Sequence, residues 1–131
     1  MARPEHVNVT VADPDALAAT LCELFDWKVR WSGAAMGNGR SVHVGDGASY
    51  VALYTPGKTE PFSPDTYSRQ GGLNHIGVVV DDLDATEDRV KRAGFVPGSH
   101  ADYEPGRRFY FHETNGIEIE VVSYTKAMAR A

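Results

Sequence analysis

Two histidines and one glutamate offer the first chemistry in this sequence. The stretches Glu5-His6-Val7-Asn8-Val9-Thr10-Val11-Ala12-Asp13 and Asn74-His75-Ile76-Gly77-Val78-Val79-Val80-Asp81-Asp82 write one phrase twice. His6 answers to His75 and Asp13 to Asp82, each 69 residues on. A repeat of this kind implies two copies of one supersecondary unit. At an offset of 68, Tyr50-Val51-Ala52-Leu53-Tyr54 lies over Glu118-Ile119-Glu120-Val121-Val122. The polar sides of these strands then carry His6, His75 and Glu120. Two imidazoles and one carboxylate on rigid strands can form a facial triad that leaves positions open on Fe(II), Mn(II) or Zn(II). The plainer alternative makes His6 a frayed terminal residue, His75 a hydrogen-bonded core histidine and Glu120 a solvated strand residue.

These residues need strands to hold them, and the patterning supplies a set in each copy. Residues 6–11 alternate. Val7, Val9 and Val11 should pack on a helix, while His6, Asn8 and Thr10 look into a cavity or solvent. Asp13-Pro14 opens a helix with an N-cap and a proline at its first position. Leu17, Leu21, Leu24 and Phe25 form its core stripe, and it should stop near Asp26. Residues 27–31 alternate as a strand, 32–40 hold three glycines and predict a turn, and 41–44 form a short strand. A tight turn at 45–47 leads to a fourth strand over 50–54, with Val51 and Leu53 inward.

The second copy repeats this order. Residues 73–80 predict a strand, and Asp82 caps a helix to about Arg92 with Leu83, Thr86, Val90 and Ala93 inward. Gly94 suits a left-handed cap, and Pro97-Gly98 turns. Two strands follow between Ser99 and His112, and Thr114-Asn115-Gly116 is a hairpin-type turn. The last strand, 117–122, should turn Ile117, Ile119 and Val121 inward and Glu118, Glu120 and Val122 outward. Residues 125–131 read as a short tail. The expected class is α+β: two tandem βαβββ modules forming a curved mixed sheet with a concave metal or ligand cavity. They make one domain over 1–131, with module one at about 5–55, a linker at 56–72 and module two at about 73–124. Residues 55–72 exceed the usual ~12–15 of a structureless loop, which suits a lid, an arm or a swapping hinge.

At 131 residues the chain suits one domain with a full core. Its net charge of -5 argues against nucleic acid or an anionic membrane as partner. Cys22 is the only cysteine, so no internal disulfide can form and a reducing compartment is expected. Cys22 itself reads as helix packing. The N-terminal residues carry no apolar segment of signal-peptide type, and no apolar run approaches the ~20 residues of a membrane span. A cytoplasmic protein with a small-molecule substrate is the expectation.

On the phrases around His6 and His75, and on Asn115-Gly116-Ile117-Glu118-Ile119-Glu120, residues 5–124 resemble the vicinal oxygen chelate superfamily. That superfamily includes glyoxalase I, type I extradiol dioxygenases, fosfomycin-resistance enzymes and bleomycin-binding proteins. The resemblance implies metal ligands at His6, position 52, His75 and Glu120. Position 52 is alanine, which removes the ligand and proton-moving base that glyoxalase I uses there. The stretch from Gly98-Ser99-His100 through Phe109-Tyr110-Phe111-His112 to Glu120 is similar to the C-terminal signature of the extradiol dioxygenases. It departs by one extra residue between His100 and Phe109, and by Thr114 in place of proline. This likeness implies one divalent metal ion per site, with Fe(II) favoured over Mn(II), Zn(II) or Ni(II), and cleavage of a catecholic ring by O2. It implies a substrate hydrogen bond from Tyr110 and an acid/base role for His43 or His100. Tyr110 is equally a half-buried strand tyrosine, and His43 a surface strand residue.

The fosfomycin-resistance branch shares the length, the three ligands and a tyrosine ten residues before the glutamate. The lysine and serine of its antibiotic site are not evident here. A glyoxalase-type lyase or isomerase and a metal-free binding protein like the bleomycin-binding relatives are the other readings. Tyr50 and Tyr54 flank position 52 and, with Trp27 or Trp31, can wall a planar ligand; core or dimer packing is the alternative for the tryptophans. Asn8 shares that side as a substrate contact. Arg108, beside Arg107, reads as an anion clamp or as part of a solvated hairpin. Small relatives usually pair, so a homodimer is expected, with each site inside one chain or shared between two.

Overall fold

The computed structural model describes residues 1–103 and 106–124; the tail expected at 125–131 lies outside them. The chain divides into two compact units, Met1–Pro61 and Phe62–Ala131. In the first, strand β1 (His6–Thr10) leads into helix α1 (Pro14–Phe25), followed by β2 (Lys28–Ala35), β3 (Gly39–Gly45) and β4 (Tyr50–Thr55). The second runs β5 (His75–Val79), α2 (Leu83–Arg92), β6 (Gly98–Tyr103), β7 (Gly106–His112) and β8 (Glu118–Tyr124). Sheet order is β1-β4-β3-β2 in the first unit and β5-β8-β7-β6 in the second. In each, the first strand pairs parallel with the fourth and the other pairs are antiparallel. The tandem βαβββ modules predicted from the repeat are therefore present.

The helices start for the same reason in both units. Asp13 Oδ1 accepts the Ala16 N–H at 3.1 Å, and Asp82 Oδ1 accepts that of Ala85 at 3.0 Å. Each carboxylate satisfies a donor that the first helical turn leaves open. α1 ends at Asp26, whose φ of 58° reverses the chain. α2 ends in a Schellman motif: Gly94 (φ 96°) donates to the Lys91 carbonyl at 3.0 Å and Phe95 to Val90 at 3.2 Å.

Leu17, Ala18, Leu21 and Leu24 of α1 are buried with Val9, Val11, Val42, Val44, Val51 and Leu53 of the sheet. Leu24 has no exposed surface, so its truncation to alanine should cost about 2–5 kcal/mol. The second core sets Leu83, Thr86 and Val90 with Val78, Phe109, Phe111, Ile119 and Val121. Among the described residues, no helix is long and apolar enough to cross a membrane.

Several local expectations change. Residues 32–35, expected to turn, extend β2; a short 3-10 turn at Met36–Asn38 makes the reversal instead. Val7 stays exposed while Val9 and Val11 are buried. Ala93 is only half-buried. Val122 is buried although its face points away from the helix, because Arg108 lies opposite it in the register. Within residues 55–72, Thr66–Ser68 forms a 3-10 turn. Phe62 lies over Gly116 (φ 93°), where a Cβ would run into its ring.

Candidate functional site

Strand register decides what meets on the face of each sheet turned away from its helix. His6 stands opposite Tyr50 and Asn8 opposite Ala52. His75 stands opposite Glu118 and Gly77 opposite Glu120. The offsets of 69 and 68 in the sequence are thus one register written in two places.

In the second unit, Glu120 organises the face. Its Oε1 lies 3.5 Å from His75 Nε2. Its Oε2 accepts the Tyr110 hydroxyl at 2.9 Å and the Arg108 Nη1 at 3.0 Å. A Cβ at Gly77 would stand 3.7 Å from Oε1, an ordinary contact. The Tyr110 ring meets His75 edge-on, with centroids 5.8 Å apart. Burial, and then the bond to Glu120, push the Tyr110 hydroxyl up to about 12. It stays a hydrogen-bond donor over the working pH range.

The other nitrogen of His75 is also held. Nδ1 lies 3.2 Å from Glu118 Oε1 and 3.1 Å from the Tyr67 oxygen, while the Tyr67 hydroxyl donates to Glu118 at 2.5 Å. That donation raises the Tyr67 pKa. In the tautomer that carries its proton on Nδ1, shared between these two oxygens, Nε2 presents a lone pair toward Glu120. This carboxylate-imidazole arrangement is how proteins orient a histidine toward a metal. Ligands each about 2.1 Å from a shared ion stand about 3 to 3.5 Å apart, a spacing that the Nε2–Oε1 pair meets. This pair supplies two donors of the nitrogen and oxygen type that a divalent ion takes. Within either unit, among the described residues, no third His, Cys, Asp or Glu joins to complete a ligand group; His6 belongs to the other unit.

The first unit prepares His6 in the same way and surrounds it differently. His6 Nδ1 lies 2.8 Å from Glu5 Oε1, which also accepts from the Tyr50 hydroxyl at 3.4 Å. The His6 ring stacks on Tyr50 with centroids 4.8 Å apart, Tyr50 on His43 at 4.7 Å, and His43 meets Trp31 at 4.9 Å. A register shift between Val29 and Trp31 places a bulge at Arg30. Two successive side chains then reach one face: Arg30 covers the Tyr50 ring at 4.6 Å and Trp31 meets His43. Burial first, and then the nearby His6 and Arg30 charges, lower the His43 pKa and favour its neutral form.

Of the residues predicted from sequence, His75, Tyr110 and Glu120 come together in one unit, and His6, His43 and Tyr50 in the other. Asn8 lies on the His6 side by register. Tyr54 is tied elsewhere, its hydroxyl donating to the Met36 carbonyl at 3.2 Å. Trp31 joins the aromatic row, whereas Trp27 packs on Phe25. His100 does not reach the Glu120 face. A bulge between Gly98 and Ala101 turns it toward α2, where its Nε2 lies 2.8 Å from Glu87 and its ring lies near Phe109. Arg108 is neither an open clamp nor a solvated residue. Its side chain is 11 % exposed and paired with Glu120, while Arg107 pairs with Asp84 at the surface.

Two residues, Tyr67 and Glu113, escaped the sequence reading. Tyr67 comes from the linker, where no periodicity marks it. Glu118, read from the sequence as outward-facing, stands opposite His75 in the register. Glu113 is buried and takes the N–H groups of Asn115 and Ile117, at 2.8 and 3.0 Å, plus the Asn115 side chain at 2.9 Å. It fixes the turn that delivers Glu118 and Glu120.

Solved structures share this architecture. A glyoxalase/bleomycin resistance protein/dioxygenase domain from Frankia is 23% identical with a TM-score of 0.79, covering 96% of this chain and 94% of that one. The fosfomycin resistance protein FosX from Listeria monocytogenes, solved with Mn(II) and sulfate, is 16% identical with a TM-score of 0.73, covering 100% and 99%. A glyoxalase I variant from Zea mays is 16% identical with a TM-score of 0.77; the match covers 92% of this chain but 44% of that one. At these identities the likeness is one of fold. No curated protein matches the sequence. The family profile of the Glyoxalase/Bleomycin resistance protein/Dioxygenase superfamily matches residues 3–121, nearly the whole repeat including both histidine strands and Glu120, and the chain belongs to that superfamily.

Proposed function

We propose that the chain is a divalent-metal-dependent enzyme acting on a small molecule, of extradiol-dioxygenase type, with His6, His75 and Glu120 as protein ligands. One observation carries the reading. Both histidines have Nδ1 set against a carboxylate, Glu5 for His6 and Glu118 for His75, which frees both Nε2 atoms for coordination. The Mn(II) bound by the Listeria FosX supports a divalent ion. When bound, such an ion polarises and chelates neighbouring oxygen atoms of a substrate.

The chain's own groups have distinct tasks. Tyr110 donates a hydrogen bond beside Glu120 and keeps its proton. His43, with its lowered pKa, is a neutral acceptor next to the substrate side of Tyr50. The Trp31–His43–Tyr50 row offers flat surface for a planar ring ending at His6. That row favours a catecholic substrate over a compact aliphatic one, and Ala52 supplies no base for glyoxalase I isomerisation. The active form is a homodimer.

The test is Fe(II) loading under anaerobic conditions, then oxygen uptake with a panel of catechols. Uptake with a ring-opened product, lost in Tyr110→Phe together with His43→Gln, is the expected result. Metal uptake without oxygen consumption on any catechol contradicts the dioxygenase reading. One observation favours a second reading, a metal-free binding module: the Arg108–Glu120 pair at 3.0 Å satisfies the carboxylate without an ion.

A further inference from the structure

Glu120 divides its two oxygens. Oε2 carries two donors, Tyr110 and Arg108, while among the described residues Oε1 faces His75 Nε2 at 3.5 Å. Arg108 is held for this contact. Its guanidinium stacks over the Tyr103 ring at 4.6 Å, Nη2 donates to the Gly106 carbonyl at 3.4 Å, and Nε is buried with no hydrogen-bond partner among the described residues. The side chains of the pair are 11 % and 14 % exposed. A guanidinium this enclosed needs a counter-charge, and Glu120 supplies it.

We propose that Arg108 is the internal cation of Glu120 and sets how tightly the site holds a divalent ion. This rests on the metal-site reading above. The guanidinium occupies Oε2 and leaves a single oxygen for coordination. Its charge also lies next to the place where a second positive charge must enter, and repulsion between like charges in an enclosed site is strong. An ion therefore binds Glu120 by sharing it with Arg108. The same contact steadies the metal-free protein, because Glu120 without either cation is a largely enclosed charge held by Tyr110 and faced by His75. Arg108 acts through Glu120 and touches no reacting atom, so it is a positioning residue.

The experiment titrates the full chain with Mn(II), reading free Mn(II) by electron paramagnetic resonance, and follows thermal unfolding with Mn(II) and with chelator. Changes beside a ligand alter metal affinity by about 10–100-fold. Here Arg108→Gln should bind Mn(II) about tenfold more tightly than wild type, melt lower in chelator, and gain more in Tm on adding Mn(II). Arg108→Lys keeps a charge but loses the stacked, forked geometry and should fall between the two. If Arg108→Gln does not fold in chelator but folds with Mn(II), the inference also stands. Wild type that binds Mn(II) while both variants bind it equally or more weakly overturns the inference alone. Wild type that binds no Mn(II), Fe(II) or Zn(II) overturns the metal-site reading and the inference with it.

Discussion

Ala52 faces Asn8 across β4 and β1, whereas Glu120 faces Gly77 across β8 and β5. The two pairs occupy equivalent places in one scaffold, with the large and the small side chain exchanged. The strand beside them repeats the contrast: His43 stands opposite Ala52, and Tyr110 opposite Glu120. In the first unit the face is filled by stacked rings. In the second it is filled by a network of Glu120, Tyr110, Arg108, Glu118 and Tyr67 around His75. A repeated fold therefore fixes where side chains stand, while the chemistry comes from which partner is small. Gly77 stands beside the carboxylate of Glu120, and Asn8 beside the methyl of Ala52.

The largest effect should come from forcing the units to match. Ala52 is buried, and Ala52→Glu would enclose a charge between Asn8 and His43. We expect a loss of about 3–5 kcal/mol, the cost of an uncompensated buried charge, measured by chemical denaturation. Adding Asn8→Gly should recover about 1–3 kcal/mol by relieving overpacking. If the double variant is no more stable than the single, the exchange of large and small partners is not what tunes this face.

Next comes the support behind His75. Glu118→Ala removes the carboxylate from Nδ1 and should weaken metal binding by about 10–100-fold, read by Mn(II) titration. Glu5→Ala should weaken it less, because Glu5 is solvent-exposed where Glu118 is 20 % exposed. Equal losses would mean that burial does not distinguish the two histidines. Glu113→Gln keeps an acceptor but removes the charge from the turn before β8. It should cost about 1–2 kcal/mol, the difference between charged and neutral hydrogen bonds, in thermal unfolding.

The smallest effect is on pH dependence. The folded pKa of Tyr110, about 12, lies above the ordinary value of 10.0. The fold favours its protonated form, so that contribution is complete below about pH 10 and is lost as pH rises from about 10 through about 12. Ultraviolet titration of wild type should show a late-ionising tyrosine that Tyr110→Phe removes. If both curves coincide, Tyr110 is not held as described.

Much of this was legible in the sequence because repetition is a strong signal. The matched phrases at His6 and His75 predicted the modules and the caps at Asp13 and Asp82, and the offset of 68 put Glu120 on the polar side of the last strand. What stayed hidden depends on small backbone irregularities. The bulge at Arg30 aligns Trp31 with His43, and the bulge near Ser99 (φ 51°) turns His100 to α2. Neither leaves a trace in alternation. Tyr67 was hidden because a linker has no period to read. Arg108 was misjudged because adjacent arginines on a hairpin look alike until one is known to sit opposite Val122 and beneath Tyr103.

The most direct test is metal content of untagged protein prepared anaerobically, for wild type, His6→Ala and His75→Ala. About one Fe, Mn or Zn per chain in wild type, lost in both variants, is the result the proposed ligand set predicts. No metal in wild type, and none taken up on reconstitution, would contradict the metal-centred account and leave a binding module in which Arg108 alone neutralises Glu120.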